Sequence, residues 1–144
     1  MRLTLHLLML FAFATLAVPT PGAAAEIKAL LVTASRSPGP SDPELKPYVP
    51  TLRRILRFES FRLVGEGSTR LHAPGKGGIV LGGGHQLQLE IEGRNSDRID
   101  ATWVRGKSTL MKTGLALRPG VPAVLGGPGT GRDGDAYAII VIAR

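Results

Sequence analysis

Residues 86–92, QLQLEIE, alternate strictly between polar and apolar side chains. Successive side chains of a β-strand point to opposite faces, so Leu87, Leu89 and Ile91 share one face and the glutamine and glutamate side chains share the other. A strand with one apolar and one polar face is typical of an antiparallel sheet that covers a core on one side. The stretch therefore predicts a half-buried strand, and the rest of the chain is expected to supply strands that complete the core.

Further strands are predicted by apolar or alternating runs between glycine- and proline-rich turns. Residues 26–34 and 136–143 are apolar on both faces, which indicates strands covered on both sides. The run that ends at Trp103 is expected to pair with residues 86–92 as a hairpin. Pro122 favours an edge position for the short strand 121–125. About seven strands with turns every 8–12 residues predict a mainly β protein, a small antiparallel β-sandwich or partly closed barrel.

One helical insertion is expected at residues 42–56. Ser41 can cap a helix, and Glu44 follows it at the spacing of a capping box. Pro43 fits the first turn of a helix, whereas Pro47 and Pro50 are disfavoured in a helix interior. We predict a short turn at 42–46 and then a helix from about Pro50 to Leu56, which would cap one open end of the sheet structure.

The first 25 residues have the features of a secretory signal peptide. Arg2 precedes an apolar run at residues 3–18, and alanines at 23–25 supply the small residues that a signal peptidase requires. The run contains His6 and is shorter than the ~20 apolar residues of a spanning helix, which disfavours a membrane anchor. We predict cleavage after Ala25, export to the periplasm or beyond, and a single β-rich domain at residues 26–144 with no transmembrane segment.

The absence of cysteine and the excess of basic charge limit the classes of function. Without cysteine the chain has no disulfide, no thiolate nucleophile and no thiolate metal ligand. The net charge of +7 becomes +6 when Arg2 leaves with the predicted signal peptide, which favours anionic neighbours. The basic residues are scattered and export is predicted, so nucleic acid is not expected as a partner.

Residues 126–133, GGPGTGRD, are similar to the phosphate-binding loop GGPGTGKT of ATPases. That loop needs Lys to reach the terminal phosphates and Ser or Thr to hold magnesium, and Arg132 and Asp133 occupy those positions here. A phosphate loop also opens a helix, whereas a β-branched strand follows here. We interpret residues 126–134 as a glycine-rich hairpin loop, and residues 72–78 as another loop.

No arrangement typical of a catalytic or metal site is evident in the sequence. His72 and His85 lie beside glycine or proline and are expected in loops, and zinc binding by two histidines would need carboxylate ligands as well. No G-x-S-x-G nucleophile elbow occurs. We therefore predict no catalytic residues, no metal and no cofactor.

Arg53, Arg54 and Arg57 are the strongest binding candidates in the sequence. They cluster on the predicted helix and could hold phosphate or carboxylate groups. The alternative is a solvated helix face, because exposed charges usually contribute little.

Two resemblances extend over parts of the chain. The segments DPELKPYVPTLRRIL, FESFRLVGEGS, LGGGHQLQLE and VPAVLGGP, in that order, resemble a group of small exported bacterial proteins without assigned function. The first resemblance implies export and no particular activity. Separately, PAVLGGP followed by AYAIIVIAR is similar to the end of the β-domain of secretins, the outer-membrane secretion pores, although the long transmembrane hairpins of that family are missing.

Three hypotheses of function follow. The first is a non-enzymatic protein of the cell envelope, an adaptor or structural protein that binds another envelope component. The second is a module that binds an anionic polymer or glycan through Arg53, Arg54 and Arg57 or through the glycine-rich loops. The third is a small hydrolase that uses His72 or His85 with a carboxylate, which requires the two histidine loops to converge. The partner and the oligomeric state do not follow from the sequence.

Overall fold

A computed structural model describes residues 25–93, 98–132 and 134–144. The predicted signal peptide lies outside these residues, apart from Ala25, and so do the turn residues 94–97 and Asp133. The described elements are strands, one 3₁₀ turn (Pro43–Leu45) and one α-helix: β1 (Ala25–Ser35), α1 (Val49–Leu56), β2 (Ser60–Leu71), β3 (Gly75–Gly82), β4 (His85–Ile91), β5 (Arg98–Arg105), β6 (Ser108–Ala116), β7 (Ala123–Gly129) and β8 (Ala136–Ala143).

The strands form two antiparallel sheets that pack together as a β-sandwich. Sheet I has the strand order β2-β1-β8-β7, and sheet II has the order β3-β4-β5-β6. The mainly β prediction is confirmed, as a sandwich and not a closed barrel. Eight strands are present among the described residues, where about seven were predicted.

The core between the sheets follows the predicted alternation. Leu87, Leu89 and Ile91 of β4 are buried, and Leu87 lies directly opposite Trp103 of β5. Trp103 is the largest fully buried side chain and contributes the most apolar area to this core. The hairpin predicted from these two runs is therefore confirmed.

A second apolar cluster covers the other face of sheet I. Leu30 and Val32 of β1 and Ile140 of β8 pack there against Leu45 and Leu52 of the helical insertion. Because both faces of sheet I are covered, β1 and β8 carry apolar residues on both sides, as predicted. The expectation that the helix caps an open end of the sheets is wrong, since its buried residue Leu52 packs on the outer face of sheet I.

Ser41, which was expected to cap the helix, instead protects the outer edge of β2 together with Asp42. The hydroxyl Oγ of Ser41 accepts a hydrogen bond from the backbone N–H of Phe61, at 3.0 Å. The carboxylate of Asp42 accepts one from the N–H of Leu63, at 2.7 Å. The predicted capping box does not form, because the Ser41 side chain satisfies a strand that would otherwise expose unpaired backbone groups.

The two sheets approach closely where β2 passes β3. A Cβ atom on Gly65 would lie 1.7 Å from the carbonyl oxygen of Leu81, and one on Gly67 would lie 2.7 Å from the side chain of Ile79. Glycine at both positions therefore permits the approach. The prediction of a loop at residues 72–78 is wrong beyond residue 74, because Gly75 onwards pairs with β4.

β7 is an edge strand of sheet I, as Pro122 predicted, but it begins at Ala123 and runs to Gly129. Residues 126–129, expected in a loop, therefore belong to the strand. A register shift between Gly126 and Gly129 interrupts the pairing with β8, and this irregularity explains why an alternating pattern is missing from the sequence.

The two ends of the described chain lie together at one end of the sandwich. The backbone N–H of Arg144 donates a hydrogen bond to the carbonyl of Glu26, at 2.9 Å. Ala25 pairs with Leu71 at this end of β1, and Ser35 pairs with Ser60 at the other. No helix in the described residues is long and apolar enough to cross a membrane.

Candidate functional site

The inward face of β1 changes from apolar to polar towards its C-terminal end. Ile27, Ala29 and Leu31 belong to the core between the sheets. The next two inward positions, by strand alternation, are Thr33 and Ser35. The core therefore gives way to a hydroxyl-lined surface at this end of the sandwich, opposite to the end where Ala25 and Arg144 lie.

A polar cleft of about 500 Å³ opens at this end of the sandwich. We call it the polar cleft; it is lined by the segment Ser37–Pro40, by two arginines (Arg62 and Arg132), by Asp135 and by four further hydroxyl side chains: Thr33, Ser35, Ser60 and Thr130. Residues from the connections after β1 and β7 thus meet residues from β1 and β2. The volume falls within the range of small-molecule sites.

The register of sheet I brings the cleft residues together. Thr33 lies opposite Arg62 of β2 on one side and opposite Tyr137 of β8 on the other. Directly opposite side chains of an antiparallel pair are neighbours on one face. Arg62 is therefore placed at the cleft by its pairing with a polar position of β1.

A compact turn carries Arg132 and Asp135 to the cleft. The backbone N–H of Thr130 donates to the carbonyl of Asp135 at 3.0 Å, and the N–H of Asp135 donates to the carbonyl of Arg132 at 3.1 Å. The side-chain oxygen of Thr130 accepts from the N–H of Arg132, at 3.3 Å. These bonds join the end of β7 to the start of β8, and they define the position of the turn.

The two guanidinium groups of the cleft form no ion pair within the described part of the chain. The ion pairs found there, Lys28–Glu66 and Lys76–Glu90, both at 3.6 Å, lie elsewhere. A guanidinium offers five N–H donors and no acceptor, so it pairs readily with a carboxylate, sulfate or phosphate. Arg62 and Arg132 are exposed and can turn towards such a group.

The hydroxyl groups of the cleft retain hydrogen-bonding capacity. The Oγ of Ser35 accepts a bond from the N–H of Ser37, at 3.2 Å, and its O–H can still donate. The O–H of Ser60 donates to the carbonyl of Ser37, at 2.9 Å, and its oxygen can still accept. The cleft therefore presents donors and acceptors beside the two guanidinium groups.

A buried polar cluster lies next to the cleft, behind Tyr137. The imidazole of His85 is 2% exposed, and its Nδ1 accepts a hydrogen bond from the indole N–H of Trp103, at 3.0 Å. The ring of Tyr137 lies 4.6 Å from the imidazole, centroid to centroid, and the guanidinium of Arg105 lies 5.5 Å from the Tyr137 ring. Tyr137 thus belongs both to this cluster and to the row of side chains that includes Thr33.

The hydrogen bond from Trp103 determines where His85 carries its proton. A neutral imidazole whose Nδ1 accepts must be protonated at Nε2. That Nε2 is buried and has no hydrogen-bond partner among the described residues. Burial lowers the pKa of His85 from its ordinary value of 6.5, and the positive charge of Arg105 lowers it further. His85 is therefore neutral at neutral pH.

The predicted binding residues Arg53, Arg54 and Arg57 do not line the polar cleft. All three are exposed, on or just after α1. Nε and Nη2 of Arg53 donate to the carbonyl oxygen of Glu59, at 3.2 and 3.0 Å, which ties the helix to the start of β2. Binding through Arg54 and Arg57 stays a prediction, whereas Arg53 already has a structural contact.

The two histidines are at opposite ends of the sandwich. His72 is exposed and follows Leu71, which pairs with Ala25; Tyr137, beside His85, pairs with Thr33. Eight residues of β1 separate these positions, about 26 Å along a strand. The convergence that the hydrolase hypothesis requires is therefore not met. The expectation that His85 lies in a loop is wrong, because β4 begins at His85 and turns it into the core.

No group of three or more histidine and carboxylate side chains that could hold a metal ion occurs in the described parts of the chain. The segment 126–133, whose sequence is similar to a phosphate-binding loop, is followed by strand β8 and not by a helix. The helix that a phosphate-binding loop requires is therefore not the element that follows it.

The cleft residues Arg62 and Asp135 were not predicted to form a site, whereas Arg132 lies in the glycine-rich segment 126–134 that the second hypothesis offered as an alternative binding site. Arg62 is far from the other two in sequence, and Arg132 and Asp135 lie in or directly after a glycine-rich segment. The pairing of β1 with β2 and β8 brings the three together. The single available signal is the polar pair Thr33 and Ser35 at the end of an otherwise apolar strand.

The fold and this cleft define a small β-sandwich with a polar, arginine-lined site at one end. The chain matches no protein-family model, no curated protein and no solved structure. The resemblances to small exported proteins and to the secretin β-domain stay predictions.

Proposed function

We propose that the protein is an exported, non-enzymatic binding module of the cell envelope, and that it holds an anionic group of another envelope component in the polar cleft. The observation that carries the proposal is the presence of Arg62 and Arg132 at one cleft, without an ion pair in the described residues. Guanidinium groups that lack a carboxylate partner are suited to an anionic ligand.

The charge of the whole chain supports the same ligand class. The formal net charge is +7, and a positive field raises the local concentration of anionic polymers and their rate of association. The export part of the proposal depends on residues 1–25, whose sequence has the features of a signal peptide. Among anionic components, we favour an acidic polymer or glycan over a protein, because the described lining of the cleft consists mainly of hydroxyl and charged side chains.

The experiment is a titration of the purified protein with polygalacturonate, a polyanion of known charge, at low and at high salt. Binding should weaken steeply with salt, because contacts between exposed charges are screened within about 10 Å at 0.1 M. The double variant Arg62→Gln and Arg132→Gln should lose most of the binding. The matched control, Arg70→Gln and Arg118→Gln, removes the same charge from exposed positions outside both the cleft and the helix and should retain the binding.

Four outcomes would count against the proposal or against its ligand class. Absence of polyanion binding at low salt would remove it. Equal loss in the cleft variant and the control would attribute binding to net charge alone. Loss in a variant of Arg53, Arg54 and Arg57, with the cleft variant unaffected, would move the site to the helix. Capture of a protein partner that resists high salt would favour the adaptor hypothesis with a protein component.

A further inference from the structure

Asp135 gives the polar cleft a chemical selectivity beyond its positive charge. Its carboxylate lines the same cleft as Arg62 and Arg132, and it forms no hydrogen bond or ion pair with another described side chain. A carboxylate is an acceptor with about four lone-pair sites. A ligand that presents only an anionic group would place that group near this negative charge, so the cleft is better suited to a ligand that also carries hydrogen-bond donors.

The charges of the cleft balance a single negative charge on the ligand. Among the described lining residues, two guanidinium groups and one carboxylate leave one net positive charge. A phosphate monoester carries about −1.5 to −2 at neutral pH, whereas a carboxylate carries one negative charge. The balance therefore favours a carboxylate.

The hydroxyl side chains favour a ligand with several hydroxyl groups. Ser35 and Thr130 each already accept a bond from a backbone N–H and retain an O–H donor, whereas Ser60 already donates and retains an acceptor. A sugar hydroxyl both donates and accepts, so it can use each of these groups. The cleft volume of about 500 Å³ accommodates a ligand of this size.

We propose that the polar cleft binds an acidic sugar of the uronic-acid type, with the sugar carboxylate on Arg62 and Arg132 and the ring hydroxyls on Asp135 and the serine and threonine side chains. This inference depends on the proposed anion-binding function and names the ligand class for the same site. It adds a role for Asp135 as the residue that distinguishes a hydroxylated acid from a plain one.

The test compares four small ligands by NMR titration, read at the backbone amides of Thr33, Ser37 and Asp135. The ligands are glucuronate, cyclohexanecarboxylate (a ring acid without hydroxyl groups), glucose (hydroxyl groups without charge) and glucose 6-phosphate (a more highly charged sugar). We expect glucuronate to bind about tenfold or more tightly than each of the other three. Cyclohexanecarboxylate lacks the hydroxyl groups, glucose lacks the negative charge, and glucose 6-phosphate carries more negative charge than the cleft balances.

Variants assign the selectivity to Asp135. Asp135→Asn should reduce the ratio of glucuronate to cyclohexanecarboxylate affinity several-fold, because an amide accepts fewer hydroxyl hydrogens than a carboxylate. The lost negative charge affects the two anions equally and does not change the ratio. Asp100→Asn, an exposed aspartate on the outward face of sheet II, is the matched control and should leave the ratio unchanged. A loss of folded protein would reduce the measured binding of both ligands equally, so it would leave the ratio of their affinities unchanged.

The outcomes separate this inference from the proposed function. Equal affinity for glucuronate and cyclohexanecarboxylate would overturn the acidic-sugar inference and leave anion binding intact. Tighter binding of glucose 6-phosphate would overturn the preference for one negative charge. Absence of shifts with all three anions would overturn both the inference and the proposed function, and so would glucose binding as tightly as glucuronate.

Discussion

The indole N–H of Trp103 donates a hydrogen bond to Nδ1 of His85 at 3.0 Å, inside the core between the two sheets. The two residues lie on neighbouring strands, and His85 is opposite Arg105, two positions along from Trp103 on β5. Trp103 is fully buried, so His85 is the group that satisfies its only polar atom. This bond is the basis of the first two predictions.

Replacement of His85 by leucine should destabilise the protein by about 1–3 kcal/mol, because the indole N–H would remain buried without an acceptor. His85→Asn keeps an acceptor near the position of Nδ1 and should cost less. The measurement is the free energy of unfolding by urea. His72→Leu changes the exposed histidine and serves as the control, which should stay near the wild-type value. Equal stability of the leucine and asparagine variants would contradict the role assigned to the hydrogen bond.

The lowered pKa of His85 should make stability depend on pH in a defined direction. Below the ordinary pKa of 6.5 the unfolded chain binds a proton at His85, whereas the folded protein does not until a lower pH is reached. The contribution of His85 to the free energy of unfolding should therefore be fully present above about pH 7, and it should decrease as the pH falls below 6.5.

The measurement for this pH dependence is urea unfolding of the wild type and of His85→Asn at about pH 7.5 and pH 5.5. The difference between the two proteins should shrink at the lower pH, because asparagine does not titrate. The other polar side chains around the imidazole are Trp103, Tyr137 and Arg105. A difference that stays constant with pH would rule out a lowered His85 pKa in the folded state.

Gly127→Ala should be strongly destabilising. A Cβ atom at this position of β7 would lie 2.2 Å from the Trp103 ring, which is fixed in the core by its hydrogen bond. Forcing an additional carbon into a packed core costs about 1–3 kcal/mol or more. Gly39→Ala is the control, since a Cβ there has no neighbour within 4 Å. Thermal unfolding of the two variants checks the prediction, and similar melting temperatures would contradict the close packing of β7 on Trp103.

Asp42→Ala should weaken the outer edge of β2. The carboxylate of Asp42 accepts the hydrogen bond of the Leu63 N–H at 2.7 Å, and its loss leaves that group without a partner. We expect a loss of about 1–3 kcal/mol, as for other hydrogen bonds to charged groups, and faster hydrogen exchange at the Leu63 amide. Asp42→Asn retains an acceptor and should show a smaller effect on both. Unchanged exchange at Leu63 in the alanine variant would show that the edge is protected by other means.

Much of the fold follows from local pattern, whereas the site does not. Strict alternation at Leu87, Leu89 and Ile91 predicted a half-covered strand, and continuous apolar runs predicted β1 and β8 with both faces covered. Residues 79–81 were predicted as a short strand, but the first half of β3, residues 75–78, was expected in a loop because glycine carries no periodic signal.

The cleft depends on pairings between distant segments, which local pattern cannot supply. Thr33 meets Arg62 and Tyr137 through the register of three strands, and that register is defined by the complete core. His85 was expected in a loop because glycines precede it. The glycine turn ends at Gly84, however, and β4 begins at His85 and places its side chain in the core. Sequence composition identified the glycines correctly but not the point at which the strand resumes.

The hydrogen bond between Arg144 and Glu26 holds the two ends of the described chain side by side, which determines how the protein can be attached to a surface or to another domain. Both ends of the described chain leave the sandwich on the side away from the polar cleft, and the length of β1 separates them from it, about 33 Å for its residues Ala25–Ser35. A tag, a surface linkage or a fused domain at either end would therefore leave the cleft facing outward. The described chain can therefore be immobilised near Glu26 or Arg144 with its candidate site directed at the solution.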